Sequence, residues 1–402
     1  MTELAINGGK PVFEGKKVTD FAPAWPLKYP ETEARLLEVF RSGSWGGSGI
    51  YEKKLMTEFA AWQGAKYSVW MVNGTVTMEC ALLALGVGPG DEVIVPGVSW
   101  IATAEVPLYV GATPVIVDID PETLCIDPER IEEAITPRTK AIIPVHLFSA
   151  MADMPKIMEI ARKHGLYVIE DCAHAHGAKQ KNTGAGAWGE YGSFSFQSSK
   201  LMTAGEGGCC TTNDENLVDR IFRASHIGTS IFNPTVMPEE GFICHQYRMT
   251  EFQSAIIYEQ LLHQDELKVK RAASMKILAD KIKDTPAVKI QKSSYEDDER
   301  AYYFPTILID HKNLKDGIDR DKVMAALQAE GVNFNIGWGF PLYRMGVWNV
   351  PANQFIRKDT PVCDDVMLKS ALVTSNNILL ADDWVIEKTG DAINKVMSAF
   401  SK

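Results

Sequence analysis

Lys200 is the residue whose type and surroundings point most directly to chemistry. It follows an aromatic run that ends at Phe196 and precedes the glycine-rich segment 205–208. A lysine held between a strand end and such a turn is a candidate for a buried amine of lowered pKa, the kind that forms a Schiff base with a carbonyl group. An ordinary solvated surface lysine is the alternative interpretation.

Asp171 is the candidate acid. It follows the mostly apolar run 166–170, where a carboxylate is poorly solvated unless it pairs with a cation such as a protonated ring nitrogen. A helix cap or a metal ligand stays open as an alternative, but His174 and His176 lack a clear third ligand, so no metal site is predicted. The interval between Asp171 and Lys200 leaves room for one crossover, so both side chains could reach one crevice.

Gly74 and Thr75 form a candidate anion site, because they follow the strand-like run 67–72 and open a helical pattern. Backbone N–H groups and the positive end of a helix dipole attract an anion at such a position. A plain capping threonine is the equal alternative. Other phosphate and acyl sites are excluded: no GxGxxG follows the first strand, no Lys-Ser/Thr follows residues 205–208, and no GxSxG elbow occurs.

These candidates lie where β-branched or aromatic runs alternate with helical patterns. The predicted strands are 67–72, 92–95, 114–119, 141–147, 166–170 and 193–196. The predicted helices are 76–85, 101–109, 128–135 and 154–164. Such alternation predicts an α/β fold with a mainly parallel sheet covered by helices on both faces. Ligands of such sheets bind outside the carboxyl ends of the strands, where the candidate residues fall.

The pattern changes after Arg248. One long helical pattern runs over 250–282, followed by a predicted strand at 302–309, a helix at 320–330 and a final helix from Trp384. We therefore predict an N-terminal segment plus large domain over 1–265 and a smaller C-terminal α+β domain over 266–402.

Composition excludes several classes of protein. The 402 residues contain 46% hydrophobic and 23% charged residues, which is typical of a globular enzyme. The chain has 41 Lys and Arg residues against 52 Asp and Glu residues, which gives a net charge of −11. Because of this negative charge, no nucleic-acid partner is expected. No apolar run reaches the roughly 18 residues of a membrane span. The seven cysteines match neither a disulfide framework nor a zinc pair, so reduced thiols and a cytoplasmic location are expected.

Several motifs occur in a characteristic order. They are Gly74-Thr75 and the segments 99–104, 170–175, 194–200, 205–208 and 247–253. Together they resemble the DegT/DnrJ/EryC1/StrS family of fold-type I sugar aminotransferases, which use pyridoxal 5′-phosphate (PLP). The opening segment 6–11 also resembles the branch of that family that acts on keto-cyclitols and related antibiotic precursors.

The resemblance implies a role for each matching residue. Lys200 resembles the lysine that holds PLP as a Schiff base, and Asp171 resembles the acid that pairs with the pyridine nitrogen. The other implied cofactor contacts are Trp100 and Ala173 on the two ring faces, Gly74, Thr75 and Ser195 at the phosphate, and His174 near the ring hydroxyl. Gln246 stands where the family often has an asparagine that reaches the phosphate of the neighbouring subunit.

The implied activity is transfer of the amino group of L-glutamine or L-glutamate to a keto-cyclitol or keto-sugar, by a ping-pong Schiff-base mechanism through pyridoxamine 5′-phosphate. The resemblance implies aminoglycoside or related biosynthesis, small-molecule substrates, no membrane partner, and a homodimer with active sites at its interface. A PLP-dependent dehydratase or aminohydroxybenzoate-synthase-like enzyme stays open as an alternative. So does a catalytically silent regulatory member of the family, although Asp171 and Lys200 are both present.

Overall fold

The computed structural model describes residues 3–236 and 242–402, and an eight-stranded sheet is its central element. The strands of the chain are β1 (Tyr67–Met71), β2 (Glu92–Pro96), β3 (Thr113–Val117), β4 (Thr139–Ile142), β5 (Tyr167–Asp171), β6 (Lys179–Gln180), β7 (Thr183–Gly184), β8 (Tyr191–Ser195), β9 (Gly208–Thr212), β10 (Val288–Ile290), β11 (Thr306–Ile309), β12 (Ile356–Arg357) and β13 (Ala371–Val373). The order in the large sheet is β1-β9-β8-β5-β4-β2-β3-β12.

Helices precede, separate and follow these strands. They are α1 (Pro30–Ser42), α2 (Ile50–Gln63), α3 (Gly74–Ala84), α4 (Ala102–Tyr109), α5 (Pro128–Ala134), α6 (Met154–His164), α7 (Glu215–Ser225), α8 (Glu251–Leu261), α9 (Gln264–Ile282), α10 (Arg320–Ala329), α11 (Pro361–Lys369) and α12 (Asp383–Phe400). In the described part of the chain, no helix is both long and apolar enough to cross a membrane.

The large sheet is mainly parallel. From β8 through β12 every neighbouring pair is parallel, whereas β9 runs antiparallel to both β1 and β8. Both faces are covered: Val93 and Val95 of β2 pack in one cluster with α3, α4 and α7, while Ile94 between them packs in another with α5 and α6. Because successive side chains of a strand point to opposite faces of the sheet, neighbouring residues of β2 lie in different cores. A mainly parallel sheet with helices on both faces confirms the predicted α/β fold.

A second core lies in the C-terminal part of the chain. The three-stranded antiparallel sheet β10-β11-β13 packs with α9, α10 and α12 around residues such as Leu278, Val323 and Ile393. The N-terminal residues Leu4 and Phe13 belong to this same core, far from their neighbours in sequence. The short strand β12, in contrast, joins the large sheet. The domain division at 265/266 stays a prediction.

The structure differs from the sequence prediction at several elements, including the following three. The predicted strand 141–147 ends at Ile142, because regular pairing stops near Pro144, which has no N–H group. Irregular contact with β5 continues, since Asp171 N donates to Pro144 O and Val145 forms an isolated bridge with Asp171. The predicted helix 250–282 is interrupted between α8 and α9, where the chain passes from the core of the large sheet to the C-terminal core. Strand β9 was not predicted.

Candidate active site

The predicted site residues converge at the carboxyl ends of β5 and β8. A cavity of about 570 Å³ opens there, between the start of α3, the loop that carries Lys200, and residues from the C-terminal part of the chain. Its lining includes all of the predicted site residues except Gln246, namely Gly74, Thr75, Trp100, Asp171, Ala173, His174, Ser195 and Lys200. The volume is in the range of small-molecule and cofactor sites.

The start of α3 forms one end of the cavity. The side chain of Asn73 accepts a hydrogen bond from Val76 N at 3.0 Å, so Asn73 is the N-cap of the helix and the alternative of Thr75 as a plain capping residue is wrong. The first N–H groups of a helix have no partner within it. A Cβ on Gly74 would lie 2.8 Å from the Cβ of Ser195, so the glycine lets the helix start approach that strand end.

Asp171 lies at the last position of β5 and is buried. Thr103 Oγ1 donates a hydrogen bond to its Oδ2 at 2.8 Å, and Ala173 N donates to its Oδ1 at 3.2 Å. Burial raises the pKa of Asp171, while the Thr103 bond and then the Ala173 bond and the Lys200 charge lower it. The site therefore holds an oriented carboxylate that needs a cationic partner.

Lys200 reaches the same cavity from the loop after β8. Burial lowers the pKa of its amine to about 8, and the negative charge of Asp171 acts in the opposite direction. The Nζ atom lies 4.6 Å from the ring centroid of Tyr303, within the range of a cation–π contact. A lysine with a pKa of about 8 has an appreciable neutral fraction, and the neutral amine is the form that attacks a carbonyl carbon.

Aromatic rings form the outer wall of the cavity. The ring of His174 stacks on Tyr303 with centroids 4.2 Å apart, and its Nδ1 accepts a hydrogen bond from Phe148 N at 3.2 Å. Burial, followed by the charge of Lys200, holds the pKa of His174 well below its usual range, so the ring is neutral. Its Nε2 therefore carries the ring proton. The half-exposed Trp100 and the nearby Trp338 complete the wall, with their ring centroids 6.4 Å apart.

The sequence did not predict several lining residues. Tyr303 and Phe304 come from the C-terminal part of the chain, and their local sequence carries no motif that marks a site. Thr103 lies inside the motif 99–104, so that motif could have indicated it.

Gln246 lies outside the cavity lining, on the exposed segment before Tyr247. Its backbone pairs with His226, and its side-chain amide contacts the guanidinium of Arg248. The role that the resemblance implies for Gln246 concerns a neighbouring subunit, and it stays a prediction.

Behind the cavity, His146, Glu170 and Cys172 are close enough to suggest a metal site. Glu170, however, already accepts bonds from His146 Nε2 and from the backbone N–H groups of residues 186, 188 and 189. The other ring nitrogen of His146 accepts a bond from Ala152 N. These bonds hold the turn after β7 against β5, so the group buttresses the strand that carries Asp171.

The chemistry of the lining fits PLP. A helix start beside Ser195 suits a phosphate, a buried carboxylate suits a pyridinium nitrogen, and an amine of lowered pKa suits the aldehyde carbon. Glycine at position 74 keeps the phosphate end free of a side chain.

Comparison with known proteins agrees with this geometry. The model of the DegT/DnrJ/EryC1/StrS aminotransferase family matches residues 28–378. An L-glutamine:2-deoxy-scyllo-inosose aminotransferase from Streptomyces fradiae is 37% identical over 90% of this chain and 84% of its own length. An aminotransferase structure from Psychrobacter cryohalolentis is 31% identical with a TM-score of 0.85, covering 94% of this chain and 99% of its own.

A structure of 3-amino-5-hydroxybenzoic acid synthase is 28% identical, with a TM-score of 0.83 and coverage of 94% and 99%. The chain belongs to the DegT/DnrJ/EryC1/StrS aminotransferase family and is a PLP-dependent aminotransferase of fold type I.

Proposed function

We propose that this chain transfers the amino group of L-glutamine to the ketone of a neutral cyclitol related to 2-deoxy-scyllo-inosose, on the route to an aminoglycoside or similar metabolite. The observation that carries the proposal is the meeting of Lys200 and Asp171 in one cavity with an aromatic outer wall. The activity named for the Streptomyces fradiae relative supports the substrate pair.

We propose the following contacts for the cofactor. Lys200 attaches it covalently, and Asp171 pairs with its ring nitrogen. The remaining contacts are Trp100 and Ala173 on the ring faces, His174 at the ring hydroxyl, Gly74, Thr75 and Ser195 at the phosphate, and Gln246 at the phosphate of the other subunit.

When bound, PLP supplies an electron sink for the carbanion formed at the donor's α-carbon. Asp171 would hold a proton on the ring nitrogen. The amine of Lys200 would be the base that moves a proton between the donor's α-carbon and C4′ of the cofactor. Because donor and acceptor use the same cavity in turn, ping-pong kinetics follow.

The cavity lining supports a neutral acceptor. Among the residues that the structure describes, Lys200 is the only lysine or arginine on the lining, and Glu206 adds a negative charge at its edge. A nucleotide-linked sugar carries a diphosphate that calls for cationic donors. A cyclitol presents hydroxyl groups and C–H faces, and the ring of Trp338 on the lining suits such a face.

We also propose a homodimer with active sites at its interface, acting in the cytoplasm. The ring centroids of Phe40 and Trp45 lie 5.8 Å apart, and the two residues are 61% and 49% exposed. This exposed aromatic pair, at the end of α1 and in the segment before α2, supports burial of the surface by a second subunit. The seven cysteines are all free, which supports a reducing compartment.

The test is amine transfer by the purified chain supplied with PLP. We expect L-glutamine and 2-deoxy-scyllo-inosose to give the aminocyclitol, detected by mass spectrometry, and borohydride to fix a pyridoxyl group on Lys200. Lys200→Arg should lose both, while Lys276→Arg on the exposed face of α9 should retain both. Transfer to nucleotide-linked keto-sugars alone would contradict the acceptor class. A chain that takes up no PLP would contradict the enzyme assignment.

The likeness to 3-amino-5-hydroxybenzoic acid synthase favours a second candidate, a dehydration reaction on a related carbocycle. The same assay separates the two. Dehydration releases water without consuming glutamine, whereas transamination forms one 2-oxoglutaramate for each aminocyclitol.

A further inference from the structure

The turn that carries Trp100 contributes two hydroxyl groups that the assigned roles leave unused. Ser99 and Thr103 are 1% and 0% exposed and lie on either side of Trp100 at the start of α4. Ser99 Oγ lies 2.7 Å from Thr103 Oγ1, and Thr103 Oγ1 lies 2.8 Å from Asp171 Oδ2. The three side chains thus form a continuous buried chain that ends on the carboxylate.

The direction of this chain follows from the donors available. An ionised carboxylate only accepts, so Thr103 gives its single hydroxyl proton to Asp171. Thr103 can then only accept from Ser99, whose hydroxyl must be the donor in that contact. Hydroxyls linked in one direction polarise one another, and a low-dielectric interior strengthens each bond.

The carboxylate is held from both sides. Ala173 N donates to Oδ1 while Thr103 donates to Oδ2, so the plane of the carboxyl group is fixed. Thr103 N in turn donates to the carbonyl of Trp100 at 3.2 Å. One turn of chain therefore carries both Trp100 and the hydroxyl group that orients Asp171.

We propose that Thr103, supported by Ser99, is a positioning residue that holds the Asp171 carboxylate in the orientation that meets the ring nitrogen of PLP. The proposal rests on the proposed function. The charged or titratable groups facing Asp171 are Lys200, from the loop after β8, and His146, from the loop after β4. Of the interactions that favour the ionised carboxylate, the Thr103 bond is the largest.

The test is PLP affinity, measured by titration of cofactor-stripped protein at a series of pH values. Thr103→Val removes the hydroxyl at constant shape, and we expect affinity to fall about 10- to 100-fold, as for other hydrogen bonds to charged groups. Thr103→Ser, which keeps the hydroxyl, should bind within about threefold of the wild-type chain. Thr389→Val is the matched control, since Thr389 is a buried helical threonine whose hydroxyl bonds to Val385 O in α12.

A pH readout separates this role from a merely structural one. Losing the Thr103 bond raises the pKa of Asp171, so in Thr103→Val the loss of PLP affinity on acidification should begin at a higher pH than in the wild-type chain. Ser99→Ala should shift the same onset in the same direction, with a loss of affinity of about 3- to 10-fold. In the Thr103→Val background, Ser99→Ala should add nothing, because the chain is already broken.

Unchanged affinity and pH onset in Thr103→Val overturn the proposal. If that variant does not fold, unchanged values in Ser99→Ala overturn it instead. Neither result touches the proposed function, which is tested separately by PLP uptake and amine transfer in the wild-type chain.

Discussion

Burial lowers the pKa of the Lys200 amine, and this shift has a direct consequence for its chemistry. With a pKa of about 8, its neutral fraction rises as pH increases through that value, more than two units below an ordinary lysine. We expect the attachment of PLP to stripped protein, fixed by borohydride and located by peptide mass spectrometry, to increase in rate with a midpoint near pH 8.

Asp171→Asn should lower that midpoint, because the carboxylate charge favours the ammonium form of Lys200. Asp280→Asn, an exposed partner of Lys276 on α9, should leave it unchanged. A wild-type midpoint near pH 10 would contradict the burial of the amine.

Sequence reasoning succeeded for residues that follow strands and failed for residues brought in from elsewhere. Lys200 and Asp171 could be predicted because the carboxyl ends of parallel strands meet at one edge of a sheet. Tyr303 and Phe304 could not, since their approach depends on how the C-terminal core packs against that edge. The alternative of a capping Thr75 could not be decided from the sequence, because both Asn73 and Thr75 are residue types found at helix N-caps.

At the scale of elements, the start of α3 depends on Gly74. An alanine Cβ at this position would meet Ser195 Cβ at 2.8 Å, so the helix start must move away from the strand end. We expect Gly74→Ala to weaken PLP binding about tenfold or more, because helix N–H groups bind a phosphate only at close range, while binding of pyridoxal, which lacks the phosphate, changes little. Gly346→Ala, with open space around the added methyl, is the control.

Titration with PLP and with pyridoxal checks this prediction. Equal losses for both ligands would place the effect outside the phosphate site.

The elements themselves were predictable to different degrees. Apolar strands such as β2 and β3 stand out because both of their faces are covered. Strand β9 escaped detection: its sequence, Gly208–Thr212, contains glycine, cysteine and threonine rather than a bulky apolar run, and it is specified by pairing with β1 and β8. No proline or glycine marks the break between α8 and α9 in the sequence, because the break reflects a change of packing partner.

At the scale of the whole molecule, the exposed pair Phe40 and Trp45 predicts the proposed dimer. Phe40→Glu with Trp45→Glu should convert the chain to a monomer in sedimentation experiments, because buried charges without partners disfavour the interface. Val269→Glu places the same charge on another exposed apolar residue and should leave the dimer intact. A double variant that stays dimeric would place the interface elsewhere.

The N-terminal segment is tied to the C-terminal unit through Glu330. Its fully buried carboxylate accepts bonds from Ala5 N and Val12 N and pairs with Lys395 at 2.8 Å. The motif 6–11, which resembles the keto-cyclitol branch, therefore serves here to anchor the chain: Lys395 also donates to Lys10 O.

Glu330→Ala should cost about 3–5 kcal/mol in the free energy of unfolding, because it strands a mostly buried ammonium. Adding Lys395→Met should recover part of that loss, as measured by chemical denaturation. A double variant no more stable than Glu330→Ala would show that the charge pair is not the source.

This anchoring has a consequence for biosynthesis. Leu4 and Phe13 find their packing partners in α10 and α12, which are synthesised far later than these two residues. The C-terminal unit therefore cannot complete its folding before α12 has been synthesised, and Leu4 and Phe13 remain unburied until then.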